Sequence, residues 1–136
     1  MITSRSRYGL LLLIDLVDHA KEGPVDIASI ASRQAIPEAY LAKLLAPLKT
    51  AGIIATTRGP GGGLGLAKKA EAISMLEIVE ALEGKAGLGG EGEGIVKAEA
   101  GDRAGRVWRA LDAALRTEMA GRSLADAAVS VIEYHI

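Results

Sequence analysis

The stretch from Thr57 to Lys69 reads TRGPGGGLGLAKK and is the part of the chain best suited to binding phosphate groups. Its glycines permit positive φ angles and close backbone approach, Pro60 stiffens the tip, and Arg58 supplies positive charge. The candidate ligands are the phosphates of a nucleotide or those of a nucleic acid backbone. A turn with no partner is the third alternative, but such a turn needs only two residues and has no use for an arginine.

The details of the glycine-rich stretches do not favour a nucleotide. A P-loop requires lysine and then serine or threonine at the start of a helix, whereas Ala70 follows the two lysines and a strand is predicted first. The letters of a dinucleotide fingerprint occur in GLGGEG from Gly87 to Gly92, but they follow a predicted helix and carry Glu91 where a phosphate would lie. No Ser–His–Asp set has interpretable spacing, so we expect a protein that is not an enzyme.

Composition and charge limit the class of protein. The chain has 136 residues, of which 49% are apolar, and it contains no cysteine, which excludes disulfides and thiolate metal sites. Residues 1–70 hold nine Lys/Arg and five Asp/Glu, a charge of +4, whereas residues 71–136 hold seven and twelve, a charge of −5. We therefore expect the first half to contact a polyanion. Asp15 interrupts the apolar run LLLLIDLV, which predicts a buried helix in a cytoplasmic protein that does not enter a membrane.

Three helices are predicted before the glycine-rich stretch. Apolar periodicity predicts the first over residues 4–21. Asp26 is placed as the N-cap of the second, and Pro37 begins the third, which runs to a C-cap at Gly52. The short runs IIATT and LGLA predict two strands, with residues 58–63 as the loop between them. A hairpin directly after a helix-turn-helix predicts a winged helix.

The second half is predicted to be helical. Ser74 and Glu77 form a capping box for a helix that ends at Gly84, and a long helix spans about residues 102–120 before a last short helix. The predicted fold class is mainly α with a small β-hairpin: a winged helix-turn-helix plus a long dimerisation helix. The predicted division is a winged helix-turn-helix DNA-binding domain over 1–84, a flexible glycine-rich loop over 85–101 and a helical dimerisation arm over 102–136.

Four stretches resemble the Rrf-two family of bacterial winged-helix transcription regulators. They are TSRSRYGLLLLIDL, GPVDIASIASRQAIPEAYLAKLLAPLKTAGII, RGPGGGLGLAKKAEAIS and EIVEALEG. The resemblance is close over residues 1–84 and looser over 105–130, and its most specific part is the wing sequence RGPGGG after a helix ending LKTAG. It implies a homodimer whose two winged helices bind the halves of a double-stranded DNA operator.

The resemblance also implies which residues bind DNA. They are Ser4, Arg5 and Arg7 at the start of the first helix, Ala39, Tyr40, Ala42 and Lys43 on the recognition helix, and Arg58, Gly59, Pro60 and Gly61 in the wing. The recognition helix would lie in the major groove and the wing in the minor groove. The iron–sulfur assembly regulator of this family has an acidic residue that discriminates bases at the position of Ala42, so we expect a different operator preference here.

An apolar stripe on the predicted long helix is the candidate dimer contact. Its members are Trp108, Leu111, Leu115 and Met119. The resemblance implies that this helix packs across the two-fold axis of the dimer. A lone tryptophan at helical spacing can line an effector pocket, but it more often belongs to a core or an interface.

The loop before the long helix lacks the ligands that many members of the family have. Those members hold an iron–sulfur cluster with three cysteines, whereas Gly92, Ala98 and Ala104 stand six residues apart in this chain, a spacing such ligands often have. Two alternatives stay open: a member without a cluster, or a chain in which the cysteines have been replaced. We expect no cofactor for the chain as it stands.

The remaining ionisable residues are interpreted as structural. His19 and His135 are far apart, and a metal site needs at least three convergent ligands, so each is expected to be solvated or at a helix end. Rows of acids at helical spacing are expected to form solvated faces; these are Asp15 and Asp18, and Glu77, Glu80 and Glu83.

The sequence therefore predicts a dimeric, sequence-specific DNA-binding transcription regulator that acts as a repressor. The alternative is a winged-helix module for protein–protein assembly that does not bind DNA. A small nucleotide-binding enzyme has only the glycine-rich stretches in its favour. Salt separates the first two, because phosphate contacts release counterions and weaken steeply as salt rises.

Overall fold

The computed structural model describes residues 2–85 and 103–133, with side chains as far as Val129. The elements follow in the order α1 (Ser4–Asp18), α2 (Ile27–Gln34), α3 (Glu38–Thr50), β1 (Ile54–Thr57), β2 (Gly63–Leu66), α4 (Met75–Glu83), α5 (Arg103–Ala120) and α6 (Leu124–Glu133). This order confirms the predicted fold class. Apart from Lys85, the predicted glycine-rich loop lies outside the described residues.

Helix α1 is shorter than predicted, because it ends at Asp18 and not near residue 21. His19 leaves the helical conformation, and Ala20–Glu22 form a 3-10 turn that stops at Gly23, whose φ is +87°. The apolar periodicity alone did not reveal this stop.

Of the predicted caps around the helix-turn-helix, Asp26 is confirmed, whereas Pro37 lies one residue before the first turn of α3 and Gly52 one residue after its C-cap. Asp26 accepts a hydrogen bond from the backbone N–H of Ser29 at 3.1 Å and so caps α2. Pro37 is the N-cap of α3, and Pro47 lies in its last turn. Gly52 follows the C-cap with a φ of +73°, the left-handed conformation that glycine adopts at little cost.

One apolar core joins the helices of both halves. Its fully buried members come from α1, α2, α3 and α4 and from the segments beside them, and they include Leu12, Leu16, Ile30, Leu41, Leu48, Ile73 and Ile78. Leu124, the first residue of α6, belongs to the same core. Its backbone N–H donates to the carbonyl of Ile73 at 2.8 Å, so the start of α6 is fixed against the segment before α4.

The two strands form an antiparallel hairpin, with Ile54 opposite Leu66 and Thr57 opposite Gly63. The backbone of Val25, in the link between α1 and α2, also joins this hairpin, because it exchanges two hydrogen bonds with Leu64. None of the helices that the structure describes is long and apolar enough to cross a membrane.

Candidate nucleic-acid interface

Helix α3 presents one side to the core and the other to solvent. Leu41, Leu44 and Leu48 are buried at helical spacing. The opposite side carries the sequence-predicted residues Ala39, Ala42 and Lys43, which are exposed. The exposed side therefore faces solvent, while the buried side fixes the helix on the domain.

An aromatic pair joins α1 to the start of α3. The rings of Tyr8 and Tyr40 meet edge to face, with their centroids 5.1 Å apart and their planes at 80°. Tyr8 lies one turn after Ser4 and next to Arg7, both of which are exposed. The pair brings the predicted contacts on α1 and on α3 to adjacent positions.

The wing ends in a defined turn. The backbone N–H of Gly62 donates to the carbonyl of Gly59 at 2.9 Å, Pro60 occupies the second position, and Gly61 has a φ of +76°, the pattern of a type II turn. A Cβ on Gly62 would overlap the carbonyl oxygen of Thr57. The glycines are thus required by the shape of the tip.

The base of the wing is fixed to the domain. Val25 donates to the carbonyl of Leu64 at 2.9 Å and accepts from its N–H at 2.7 Å. A Cβ on Gly63 would lie 2.6 Å from the carbonyl oxygen of Val25, so the two backbones approach closely. The hairpin therefore projects from the helix-turn-helix at a fixed place, with Arg58 exposed where β1 ends.

The exposed cations of these elements have no partners within residues 2–85 and 103–133. This holds for the side chains of Arg5, Arg7, Lys43 and Arg58. Other cations are paired: Lys68 with Glu77 at 2.6 Å, and Arg33 with Asp15 at 2.7 Å. Lys68 is therefore less available to an anion than its place in the glycine-rich stretch indicated.

Asp15 does not belong to a solvated face, and that prediction was wrong. Its side chain is 1% exposed, and Arg33 donates to its two oxygens from Nε at 3.0 Å and from Nη2 at 2.7 Å. Gln34 donates a third hydrogen bond at 3.0 Å. The carboxylate lies between core leucines on α1, and its partners come from α2, so it fixes the first helix of the helix-turn-helix on α1. Asp18 is exposed, as expected.

The charge of Asp15 is stabilised in place. Burial raises the pKa of Asp15, but the hydrogen bonds from Arg33 and Gln34, with the positive charges of Arg33 and His19, outweigh burial and hold it below its ordinary value. His19 lies at the helix end, as expected, with Nδ1 2.8 Å from the carbonyl oxygen of Asp15.

The row of Glu77, Glu80 and Glu83 was also expected to be solvated, and this too was wrong. Glu77 accepts from the N–H of Ser74 at 2.8 Å, which completes the predicted capping box, and it also binds Lys68. Glu80 lies 3.8 Å from Arg116 of α5. Glu83 accepts hydrogen bonds from the N-terminus of α1. Each partner lies on another element or at the helix start, so the row joins α4 to its surroundings.

The apolar stripe of α5 is largely uncovered in the single chain. Trp108 is 48% exposed and Leu111 49%, Val107 beside them is 56% exposed, and Leu115 and Met119 are half-buried. The other side of α5 faces α4, where Arg116 contacts Glu80.

The residues present do not fit an iron–sulfur cluster. The chain has no cysteine, and Ala104, in the first turn of α5, offers only a methyl group. Gly92 and Ala98 lie outside the described residues. Within the described ranges, no three potential ligands among histidines and acids come together as a metal site.

Comparisons with known proteins agree with this architecture. The model of the Rrf2 family, described as iron-dependent transcriptional regulators, matches residues 2–129. The HTH-type transcriptional regulator IscR of Aliivibrio salmonicida is 40% identical over 82 residues, which are 60% of this chain and 49% of IscR. Protein rrf2 of Nitratidesulfovibrio vulgaris is 49% identical over 82 residues, 60% of this chain and 55% of that protein. The chain thus spans about half the length of the curated relatives it matches.

A solved structure extends the likeness to almost the whole chain. CymR, the global cysteine regulator of B. subtilis, superimposes with a TM-score of 0.80 at 31% identity, over 94% of this chain and 95% of CymR. IscR and CymR are named as regulators and not as enzymes. On the family match and this superposition, the chain belongs to the Rrf2 family, the family that its wing and helix-turn-helix resemble.

Proposed function

We propose that the protein is a homodimeric, sequence-specific DNA-binding transcription regulator that acts as a repressor in the cytoplasm. Helix α3 enters the major groove, the wing enters the minor groove, and the N-terminus of α1 meets the phosphate backbone. The observation that carries this proposal is a set of exposed cations on these three elements that have no partner among the described residues: Arg5, Arg7, Lys43 and Arg58.

Each element suits its proposed contact. Ala39 and Ala42 give the exposed side of α3 little side-chain bulk, so the helix backbone can come close to the base edges. Arg58 stands at the base of a rigid turn that is thin enough for the minor groove, where the negative potential is strongest. Arg5 and Arg7 are placed for phosphates, which contribute affinity and fix the register of the protein on the duplex.

The proposed dimer interface is the stripe of α5 formed by Trp108, Leu111, Leu115 and Met119. An uncovered apolar surface of this kind is characteristic of an association site. The stripe runs along a helix of 18 residues, about 27 Å long, which offers a second copy an extended surface to pair with. Two copies would place their winged helices on half-sites one helical turn, or a multiple of it, apart. We propose that a dimer bound over a promoter represses transcription because it excludes the polymerase.

The division into a DNA-binding domain over 1–84, a loop over 85–101 and a dimerisation arm over 102–136 remains part of this proposal.

The alternative, a module for protein–protein assembly that does not bind DNA, makes a different prediction about salt. A duplex selected from a random library by the wild-type protein provides the probe, and its affinity is measured between about 50 and 200 mM salt. We expect a fall of about 10³-fold or more, as for a protein with several phosphate contacts. Failure to select any duplex, or an affinity that does not change with salt, would contradict DNA binding through this surface.

A further inference from the structure

Glu83, the last residue of α4, binds the N-terminus of α1. Its Oε2 accepts hydrogen bonds from the backbone N–H of Thr3 at 2.6 Å and of Ser6 at 3.3 Å. The hydroxyl of Thr3 lies 2.8 Å from both carboxylate oxygens and accepts from the backbone N–H of Arg5 at 3.2 Å. A carboxylate eighty residues away in sequence therefore satisfies donors that a helix start leaves unpaired.

The segment held in this way is the one that carries the proposed phosphate contacts of α1. Arg5 and Arg7 lie in the first turn, directly after Thr3, and both side chains are exposed. The Thr3 side chain caps only the N–H of Arg5, so without the carboxylate the N–H groups of Thr3 and Ser6 lose their partner and the first turn frays more easily. A frayed turn must be ordered again when the DNA binds, at a cost in conformational entropy. The carboxylate removes that cost in advance.

The last turn of α4 is itself supported from the other side. Arg116 of α5 donates from Nη2 to the backbone carbonyl of Lys85 at 2.9 Å, and its Nη1 lies 3.8 Å from Glu80. Glu83 is thus held on a turn fixed between α5 and α1. A rigid support makes the carboxylate able to position α1 and not merely follow it.

We propose that Glu83 is a positioning residue for DNA binding, which holds Arg5 and Arg7 where they meet the phosphates. The proposal rests on the proposed function and adds a residue that does not itself touch DNA. Two effects of the carboxylate oppose each other: its negative charge repels phosphates, and its hydrogen bonds order the arginines. Ordering dominates, because the charge is directed at the donors and the positive end of α1, which compensate it locally.

Glu83→Ala and Glu83→Gln test the proposal, with Glu71→Gln as the control that removes an exposed carboxylate elsewhere. Using the duplex selected by the wild type, we expect Glu83→Ala to weaken binding about tenfold. The slope of log affinity against log salt should become shallower by about one to two, because up to two phosphate contacts are lost. Glu83→Gln should lie between Glu83→Ala and wild type, since it keeps one acceptor oxygen. Tighter binding by Glu83→Gln, with no change for Glu71→Gln, would show that repulsion dominates and overturn the proposal.

A variant that lacks both arginines separates the effect of Glu83 on their positions from a general loss of folding. In the double variant Arg5→Ala and Arg7→Ala, adding Glu83→Ala should weaken binding by less than about twofold, because the residues it positions are already gone. A further tenfold loss would overturn the proposal.

The hydrogen bonds of the Glu83 carboxylate to the backbone of Thr3 and Ser6 are called the clamp below. Amide hydrogen exchange of the free protein tests the clamp without DNA. Glu83→Ala should speed the exchange of Thr3 and Ser6, and unchanged exchange would exclude the clamp. A wild-type protein that binds no duplex contradicts the proposed function, and the exchange result distinguishes that failure from a failure of the clamp.

Discussion

The two described segments, residues 2–85 and 103–133, differ in how they use their large apolar side chains. In α1, α3 and α4 the leucines and isoleucines meet in one core, whereas α5 buries only Gly105 among its described residues and leaves Trp108 and Leu111 about half exposed. The first segment therefore supplies all of the core except Leu124 of α6, while the outer side of α5 is suited to association with another surface.

The charges of the two segments differ less than their apolar side chains, because Arg103 and Arg106 of α5 are exposed as well. The elements proposed to meet DNA carry cations without partners in the described structure, such as Arg7 and Arg58. On α5, Arg116 is bound to Asp112 and approaches Glu80. Our proposal of two kinds of partner, a polyanion for the winged helix and an apolar surface for α5, therefore rests mainly on the uncovered apolar stripe of α5 and on the elements that carry Arg7 and Arg58.

The sharpest way to break this comparison is to make the α5 stripe polar. Leu111→Glu with Leu115→Glu should raise the dissociation constant of the dimer by about a hundredfold or more, because two charges would lie within an apolar contact. Analytical ultracentrifugation measures it. The control is Ala113→Glu with Thr117→Glu, which adds the same charges at exposed positions of α5 that lie outside the stripe. A wild-type monomer at micromolar concentration would refute the proposed interface.

Within the winged helix, the largest effect on stability is expected at Asp15. Asp15→Asn should lower the free energy of unfolding at pH 7 by about 2 kcal/mol, less than the loss of a fully buried pair because the Arg33 side chain is 36% exposed. Urea unfolding measures it, with the exposed neighbour Asp18→Asn as a control that should change little.

The same variant has a predicted dependence on pH. Since the pKa of Asp15 is lower in the folded protein than its ordinary value of 3.8, its charge stabilises the fold above that value, and this contribution is lost as pH falls through the lowered pKa. The difference in unfolding free energy between wild type and Asp15→Asn should therefore shrink below about pH 4. An equal difference at pH 7 and pH 3 would show that the charge of Asp15 does not act in this way.

A smaller and more specific effect is expected at the wing. Arg58→Ala should weaken operator binding by about 1–3 kcal/mol, the worth of one groove contact, and leave the unfolding free energy unchanged because Arg58 has no partner in the described part of the chain. Fluorescence anisotropy measures the affinity, and Lys21→Ala removes an exposed cation outside the proposed surface as a control. Unchanged affinity would remove the wing from the interface.

The smallest expected effect is that of removing metal. Although the family is described as iron-dependent, this chain has no cysteine, and we predict that it binds no iron–sulfur cluster and that chelators leave its DNA affinity unchanged. Anaerobic reconstitution with iron and sulfide should give no stoichiometric visible absorption band. If a chelator abolished DNA binding, ligands such as Asp102 or His19 would have to be considered.

The features that sequence predicted correctly are local ones. Asp26 and the pair of Ser74 and Glu77 act within three residues of their own positions, and the Pro60–Gly61 pair specifies its turn by itself. Such signals depend on short-range geometry, which spacing in the sequence records directly.

The features that it missed depend on distant partners. Asp15 and Asp18 look alike as acids at helical spacing, but only Asp15 lies between the core residues Leu12 and Leu16, with Arg33 eighteen residues away. The apolar neighbours one turn away on either side were the available signal for its burial. Glu83 bonds to a residue eighty positions away, and nothing in its local sequence indicates that contact.

The central claim is that each winged helix binds one half-site and that α5 pairs two copies. Its most direct test compares the affinity for a duplex with two half-sites with the affinity for a duplex with one. Wild-type protein is titrated with the selected palindromic duplex and with the same duplex after one half-site has been scrambled, beside the Leu111→Glu, Leu115→Glu variant. The account predicts that wild type loses about a hundredfold or more in affinity when one half-site is lost, whereas the variant binds both duplexes equally weakly. If wild type bound the two duplexes with equal affinity, a single winged helix would suffice, and the account of α5 as the element that pairs two DNA-binding copies would be contradicted.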